Sequence, residues 1–496
     1  MGHSRLHALA ITWALFTSPV HSQFMPITAY GDTVGNIALG SGALVSDVDS
    51  KNCTKCGSFN VAVGGMSLYE NTTGYLNIAI GETAMLHNTT GYSNTATGYA
   101  ALFSNQTGYN NTASGFDALS YSFSSYNNSA FGAYALFSEF DGLAGHDNTA
   151  SGVNSLSFDS LGSYNTAAGS AALIYNTDGN YNTAFGAGAL SGVSIESDSQ
   201  GATGSNNTGT GAFALYSYST GGNNTATGYE ALYADTTGNH NTAIGANALY
   251  SNTTANFNTA DGYATLFSNT TGVQNTASGT QALYSNTSGN YNVASGLDAL
   301  YGNTTGAANT ALGFKAGYNL TTGNNNVDIA NQGAAGDAST IKIGTQGTQQ
   351  TAYIAGIYNV PLSGSPVVVT STGQLGVSSV SSERFKTAIV PMGADTVKLA
   401  QLRPVSFRLK NDSTGTRQFG LIAEEVAKVY PELVIRNEKG RIDGVRYDEL
   451  APMLLNEVQK RNAAQDAQIR DLKQQVAELR AAFLSLQAKD ERVAQH

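Results

Sequence analysis

The stretch from Asn94, "NTATGYAALFSNQTGYN", is one period of a repeat that fills most of the chain. Its leading asparagine recurs at 60, 77, 94, 111 and 128, then at 148, 165 and 182, then at 207, 224, 241, 258, 275, 292, 309 and 326. An earlier copy begins at Asn36 in "NIALGSGAL". Nearly every step is 17 residues, so the body must fold as a stack of equivalent units, each touching its neighbours.

The consensus reads N-T-A-x-G-x-x-A-L-x-x-N-T-T-G-x-x. Seventeen residues at about 3.3 Å each span at most roughly 56 Å, enough for one coil of a β-solenoid with two short strands and tight turns. A two-helix repeat needs more chain, and so much Gly and Asn opposes helix. The small Ala at the third place and the Leu at the ninth suit a narrow interior. Asn at a fixed place can ladder coil on coil, and Gly at the fifth supplies a corner where φ is positive or another backbone comes close. Stacked about 4.8 Å apart, some 17 coils would make a rod of roughly 80 Å. The two long steps, 128 to 148 and 182 to 207, carry "SEFDGLAGHD" and "SGVSIESDSQGATGS", which enter after the Ala-Leu, so that side of the unit must face solvent.

One Leu and two Ala per coil make a thin core. Their burial returns several kcal/mol per coil at about 25 cal/mol/Å², against about 1 to 2 kcal/mol of backbone entropy per residue. The shortfall argues for association along the rod. Aromatics recur at the sixth place (Tyr99, Phe116, Tyr229, Tyr263) and at the tenth (Phe103, Tyr233, Phe267, Tyr284). They can close an interface between chains or form an exposed sugar- or surface-binding face. In their Asn, small residues and Gly the repeats resemble the β-roll heads of trimeric autotransporter adhesins, whose unit is shorter. Sequons such as Asn71-Thr72-Thr73, Asn88-Thr89-Thr90 and Asn269-Thr270-Thr271 recur with the period and would take glycans in a eukaryotic secretory route.

Charge divides the chain. Of 24 Lys and Arg only Arg5, Lys51, Lys55, Lys315 and Lys342 precede residue 381, against 19 of the 35 acids, so that part carries 5 − 19 = −14 and the rest 19 − 16 = +3. Such a body offers nucleic-acid phosphates nothing to pair with. The opening "MGHSRLHALAITWALFTSPVHSQF" has one Arg, an apolar run and a small-residue exit, and reads as a signal peptide cleaved near Ser22. No segment is apolar for long enough to span a bilayer, so the product is expected to be secreted or on a cell surface.

Both cysteines, Cys53 and Cys56, lie in "KNCTKCGS". Two thiols without a nearby His do not complete a zinc site, and a local disulfide suits a secreted chain. No cofactor or metal is called for. Carboxylates such as Asp117, Asp261 and Asp298 are scattered singly, without the pair a glycoside hydrolase needs.

The period stops after Asn326. Residues 331–380 read as a β-rich neck of short strands between Gly and Pro turns. Beyond it, "LRPVSFRL" alternates as a strand, "GLIAEEVAKVY" is an amphipathic helix stopped by Pro431, and "LVIRNEKGRIDGV" is a hairpin. From Tyr447 the pattern is helical. Leu455, Val458, Ile469, Leu472, Val476, Leu479, Phe483 and Leu486 hold the a and d places of one heptad frame, with Asn462 and Gln465 as a polar layer that fixes register.

"SSERFKTAI", "LAQLRPVSFRLKN", "QFGLIAEEVAKVYPELV" and "GVRYDELAPMLLNEVQ" together resemble, in order and spacing, the endosialidase-type intramolecular chaperone and auto-processing domain at the C-terminus of phage tailspikes and fibres. The resemblance implies a domain that trimerises, folds the upstream β-fibre, and cuts itself off with a Ser/Lys pair. Ser381, Arg384, Phe385 and Lys386 fit its motif, with Ser382 in a place commonly held by an acid. On that alignment Ser381 is the nucleophile, Lys386 the general base, and the bond broken joins Val380 to Ser381. Spacing alone favours Ser382, because residues i and i+4 share a face in a helix or a strand. A bend before Arg384, or a Lys from another copy, would restore Ser381. A lysine accepts a proton only when neutral, and bringing an ordinary one from about 10.4 to near 7 or 8 takes roughly 3 to 5 kcal/mol of desolvation or like-charge pressure.

The expected order is a signal peptide (1–22), a mainly β solenoid shaft of 17-residue coils (23–330), the neck (331–380), an α+β chaperone and auto-processing domain (381–450) and a trimeric coiled-coil helix (451–496). The expected product is a secreted homotrimeric fibre, joined through shaft and helix. The alternative is a repeat module that binds glycans or a surface, with a tail that trimerises without cutting.

Overall fold

The computed structural model describes residues 29–31, 35–46, 57–137, 145–192, 201–354, 367–370, 372–377, 382–410, 415–437 and 439–493. The chain forms two compact units, Met1–Val360 and Pro361–His496. Residues 1–22, Cys53 and Cys56, and most of both inserted loops lie outside the described residues.

Within the first unit, each repeat is one coil of a parallel β-solenoid. The second to fourth places form a three-residue strand, so that Thr95–Thr97 lies between Ile78–Ile80 and Thr112–Ser114 with partners 17 residues apart. All these strands join a single 19-stranded sheet. The enlarged steps do not disturb its register: Ser129 pairs with Thr149, and Thr183 with Thr208. Parallel pairing continues through Ile341–Ile343, in the segment that the sequence assigns to the neck. At the other end, Ala29–Gly31 pairs with Ile37–Leu39 in the antiparallel sense.

Each coil has one strand, where the sequence leads one to expect two. Between strands, single residues at the seventh, ninth and seventeenth places take left-handed backbone, as at Ala100 (φ 52°), Leu102 (φ 53°) and Asn110 (φ 55°). Those turns aim the N–H groups along the stack: Ala100 donates to Glu82 O at 3.0 Å and Leu102 to Ala118 O at 2.9 Å. A pleated strand cannot contain such residues, yet the axial ladder runs on without one. Gly at the fifth place makes the corner, as at Gly98 (φ 137°), where a Cβ would also collide with the carbonyl of Gly115 in the next coil.

Ala at the third and eighth places and Leu at the ninth fill the interior, as with Ala96, Ala101 and Leu102, all fully buried. Two columns of asparagine share that interior. At the first place, Asn94 donates its backbone N–H to Asn77 Oδ1 (3.0 Å) and its Nδ2 to Gly108 O (2.8 Å), and this column continues to Asn326. At the twelfth place, Asn88 Nδ2 donates to Asn71 Oδ1 and Asn105 Nδ2 to Asn88 Oδ1, both at 2.7 Å. Buried amides are stabilising when paired and costly when not, so the first column ties each coil to the next, and the second does so in runs such as Asn71 to Asn105 and Asp235 to Asn303. Near the last coils the apolar column turns polar: Asp328 replaces the inner Ala and faces Lys342, which is ion-paired with Asp337. Burial pushes the Asp328 carboxyl up to about 6, against the pull of Lys342.

The second unit has a small core of Val426, Tyr430, Leu433, Val434, Val445 and Leu450. Strand Val405–Phe407 pairs with Gln418–Gly420, and Val434–Arg436 with Ile442–Val445, both antiparallel. Helix Ala423–Val429 ends before Pro431, and helix Tyr447–Val493 is 47 residues long. Among the described residues no helix is long and apolar enough to cross a membrane.

Candidate functional site

At the border of the C-terminal domain, Glu383–Phe385 forms one 3-10 turn. Ser382 caps it in extended backbone (φ −67°, ψ 135°), and Lys386 leaves it extended (φ −119°, ψ 144°) while donating its N–H to Glu383 O at 2.9 Å. Ser382 is thus joined to Lys386 by neither a continuous helix nor a strand, and the shared-face argument for that pair loses its premise. Ser382, Arg384 and Lys386 are all exposed in the single chain. Val380 and Ser381 lie outside the described residues.

A 3-10 segment, Gly393–Gln401, follows, over residues for which the sequence analysis assigns no element. It carries Thr396, which is fully buried and gathers the start of the long helix. Thr396 Oγ1 donates to Glu457 Oε2 (2.9 Å) and accepts from Asn456 Nδ2 (2.6 Å) and Lys460 Nζ (3.2 Å). Tyr430 OH reaches the same segment through Asp395 O (2.9 Å), and Tyr447 OH accepts from Leu421 N–H (2.7 Å). Arg403 grips Glu425 through Nε (3.1 Å) and Nη2 (2.6 Å), which holds the Glu425 carboxyl below its ordinary range. The segment after the border is therefore anchored to Tyr430, at the end of the short helix, and to the root of the long one.

Past that root the helix is bare. Residues 461–490 are all exposed, and the heptad positions Ile469, Leu472, Val476, Leu479, Phe483 and Leu486 are 47% to 68% accessible. Among the described residues nothing covers this stripe.

The shaft presents its aromatics differently. At the tenth place Tyr216, Tyr233, Tyr250, Phe267, Tyr284, Tyr301 and Tyr318 form one column, with centroids 5.1–5.3 Å apart and planes within 14° of parallel. A second column, Tyr75, Tyr92, Tyr109, Tyr126 and His146, stands at the sixteenth place. Each inner ring covers the faces of its neighbours, leaving edges to solvent. The asparagines of the recurrent sequons, Asn71, Asn88 and Asn269, are fully buried in the inner column, so a glycan on any of them is incompatible with the folded coil.

Residues 381–435 match the family described as chaperone of endosialidase, over the segment where the sequence resemblance begins. The chain matches no curated protein and no solved structure. A β-solenoid shaft followed by an endosialidase-chaperone segment fits a tail-fibre-like protein.

Proposed function

We propose that the chain is a secreted, homotrimeric fibre whose C-terminal domain assembles the shaft and then releases itself. The observation that carries this reading is the family match at 381–435 beside a helix whose heptad stripe is exposed over 30 residues of one chain. Three such helices together cover the stripe that one leaves open.

In the release step, Ser381 Oγ attacks the Val380 carbonyl and its proton passes to neutral Lys386 Nζ. That nitrogen returns the proton to the departing amine of Ser381, and water then hydrolyses the Val380 ester, freeing the new carboxylate and the hydroxyl. Lys386 is exposed in the single chain, so the dry surroundings a neutral lysine requires have to come from neighbouring copies. Cutting then waits for assembly. Arg384 adds like charge close by.

The glycan-binding alternative would rest on the sixth-place rings such as Tyr229 and Tyr263, which are half exposed, because sugars stack on open ring faces and the two columns cover theirs. The release step is tested by expressing the full chain with Ser381→Ala. The parent should give a fragment ending at Val380 and one starting at Ser381, and the variant a single full-length band. Both fragments from the variant would overturn the assignment.

A further inference from the structure

The inner column at the twelfth place has a direction: each Asn Nδ2 donates to the Oδ1 of the coil before it, as Asn252, Asn269 and Asn286 show. The same Nδ2 also donates to the carbonyl three residues on, as from Asn269 to Gly272 O at 3.0 Å. A residue opening a run of this column has no earlier Oδ1 to meet. Before Asp235 stands Tyr218, whose hydroxyl is spent on Asn176 Oδ1 (2.9 Å). Runs open on aspartate there and at Asp159: Asn252 Nδ2 donates to Asp235 Oδ1 (2.8 Å), and Asn176 Nδ2 to Asp159 Oδ1 (3.3 Å). Oδ1 thus does the work of an asparagine Oδ1, and Oδ2 takes the place of Nδ2.

Both Oδ2 atoms are buried without a hydrogen-bond partner. As an anion, each aspartate would bury a charge with one oxygen unsatisfied, which is costly. Asp159 Oδ1 also accepts the Gly162 N–H at 2.9 Å. As an acid, each aspartate carries an Oδ2–H where the asparagines carry Nδ2, the group that elsewhere donates to the carbonyl three residues on. We propose that Asp159 and Asp235 are neutral carboxylic acids in the folded solenoid, and that proton concentration therefore sets the cohesion of the coils around them. The device tightens the shaft in mild acid and loosens it in mild alkali.

No cation opposes this: neither aspartate is in an ion pair among the described residues. Asp159 meets Gly162, Asn176, the Tyr218 phenol and the like charge of Asp178; Asp235 meets Gly238 and Asn252, with Tyr218 in the preceding coil. Burial raises Asp159 well above the carboxylate range and Asp235 to about 7. A raised folded value means that the stabilisation is complete below the unfolded value near 4 and is lost as pH rises through about 7. For Asp235 alone the folding equilibrium should fall about a hundredfold from pH 5 to pH 8.

The test compares the full chain with Asp159→Asn, Asp235→Asn and the double variant, which restore the residue most other coils carry. Denaturant unfolding should show the parent losing stability across that range, with the double variant losing at least tenfold less. Equal pH dependence in parent and double variant would overturn the proposal. Infrared spectra of the folded parent at pH 6 should contain a protonated-carboxyl stretch that each single variant diminishes. A spectrum without that band, or a band both variants leave intact, would overturn it even if unfolding is irreversible.

Discussion

The solenoid and the long helix solve opposite halves of the burial problem. In a coil around Asn94, polar side chains are inside and paired while large rings stand outside, stacked on one another. In the helix, polar groups are outside and so is the apolar stripe. Repetition explains the first arrangement, since an amide at the first place finds its own copy one coil away. The helix has no such neighbour among the described residues, and its apolar stripe stays exposed from Ile469 to Leu486. Local repetition can thus satisfy hydrogen bonds by itself, whereas a narrow stripe of leucine and valine cannot bury itself.

That contrast can be broken at several points. The largest effect is expected from Gly98→Val. The new side chain meets the Gly115 carbonyl at φ 137°, so the shaft should lose more than about 3 kcal/mol and open to proteases near that coil, while the C-terminal unit stays folded. Limited proteolysis with mass mapping reads both outcomes, and equal loss in both units would end the idea that coils fail locally. Next comes Thr396→Val, which keeps the shape but strips Glu457, Asn456 and Lys460 of their common partner; about 1 to 3 kcal/mol should go from the C-terminal unit alone. Thermal melts of the shaft that shifted as well would blur the contrast. Smallest is Arg403→Ala, because its pair with Glu425 lies at the surface. Any shift should shrink in high salt, and also in acid, where a carboxylate held low by its partner loses its contribution as it protonates.

Much of the shaft was legible because its period is rigid: Asn at the first place, Gly at the fifth and Leu at the ninth each do what their chemistry demands. The left-handed backbone at Leu102 was not legible, since branched residues avoid that region in isolation and only the axial bonds impose it. The second asparagine column was hidden by its own threonines, which make "NTT" read as a glycosylation signal. In the C-terminal unit the strands, short helix and heptads followed from spacing, but Thr396 carried no signal because its partners are about 60 residues away. The proposed nucleophile rests on family likeness, as the backbone around Lys386 is a single turn without the periodicity that ties one side chain to another.

The reversed strand Ala29–Gly31 has a consequence for crowding. An open parallel edge invites another molecule to add its own strand and continue the pattern, which is how stacked sheets seed fibrils. Ala29–Gly31, the first strand among the described residues, runs against the coils, so a copy of the repeat arriving there meets a strand of opposite sense in place of another coil. Growth that kept the 17-residue register would have to start from Ile37–Leu39, whose edge that strand occupies.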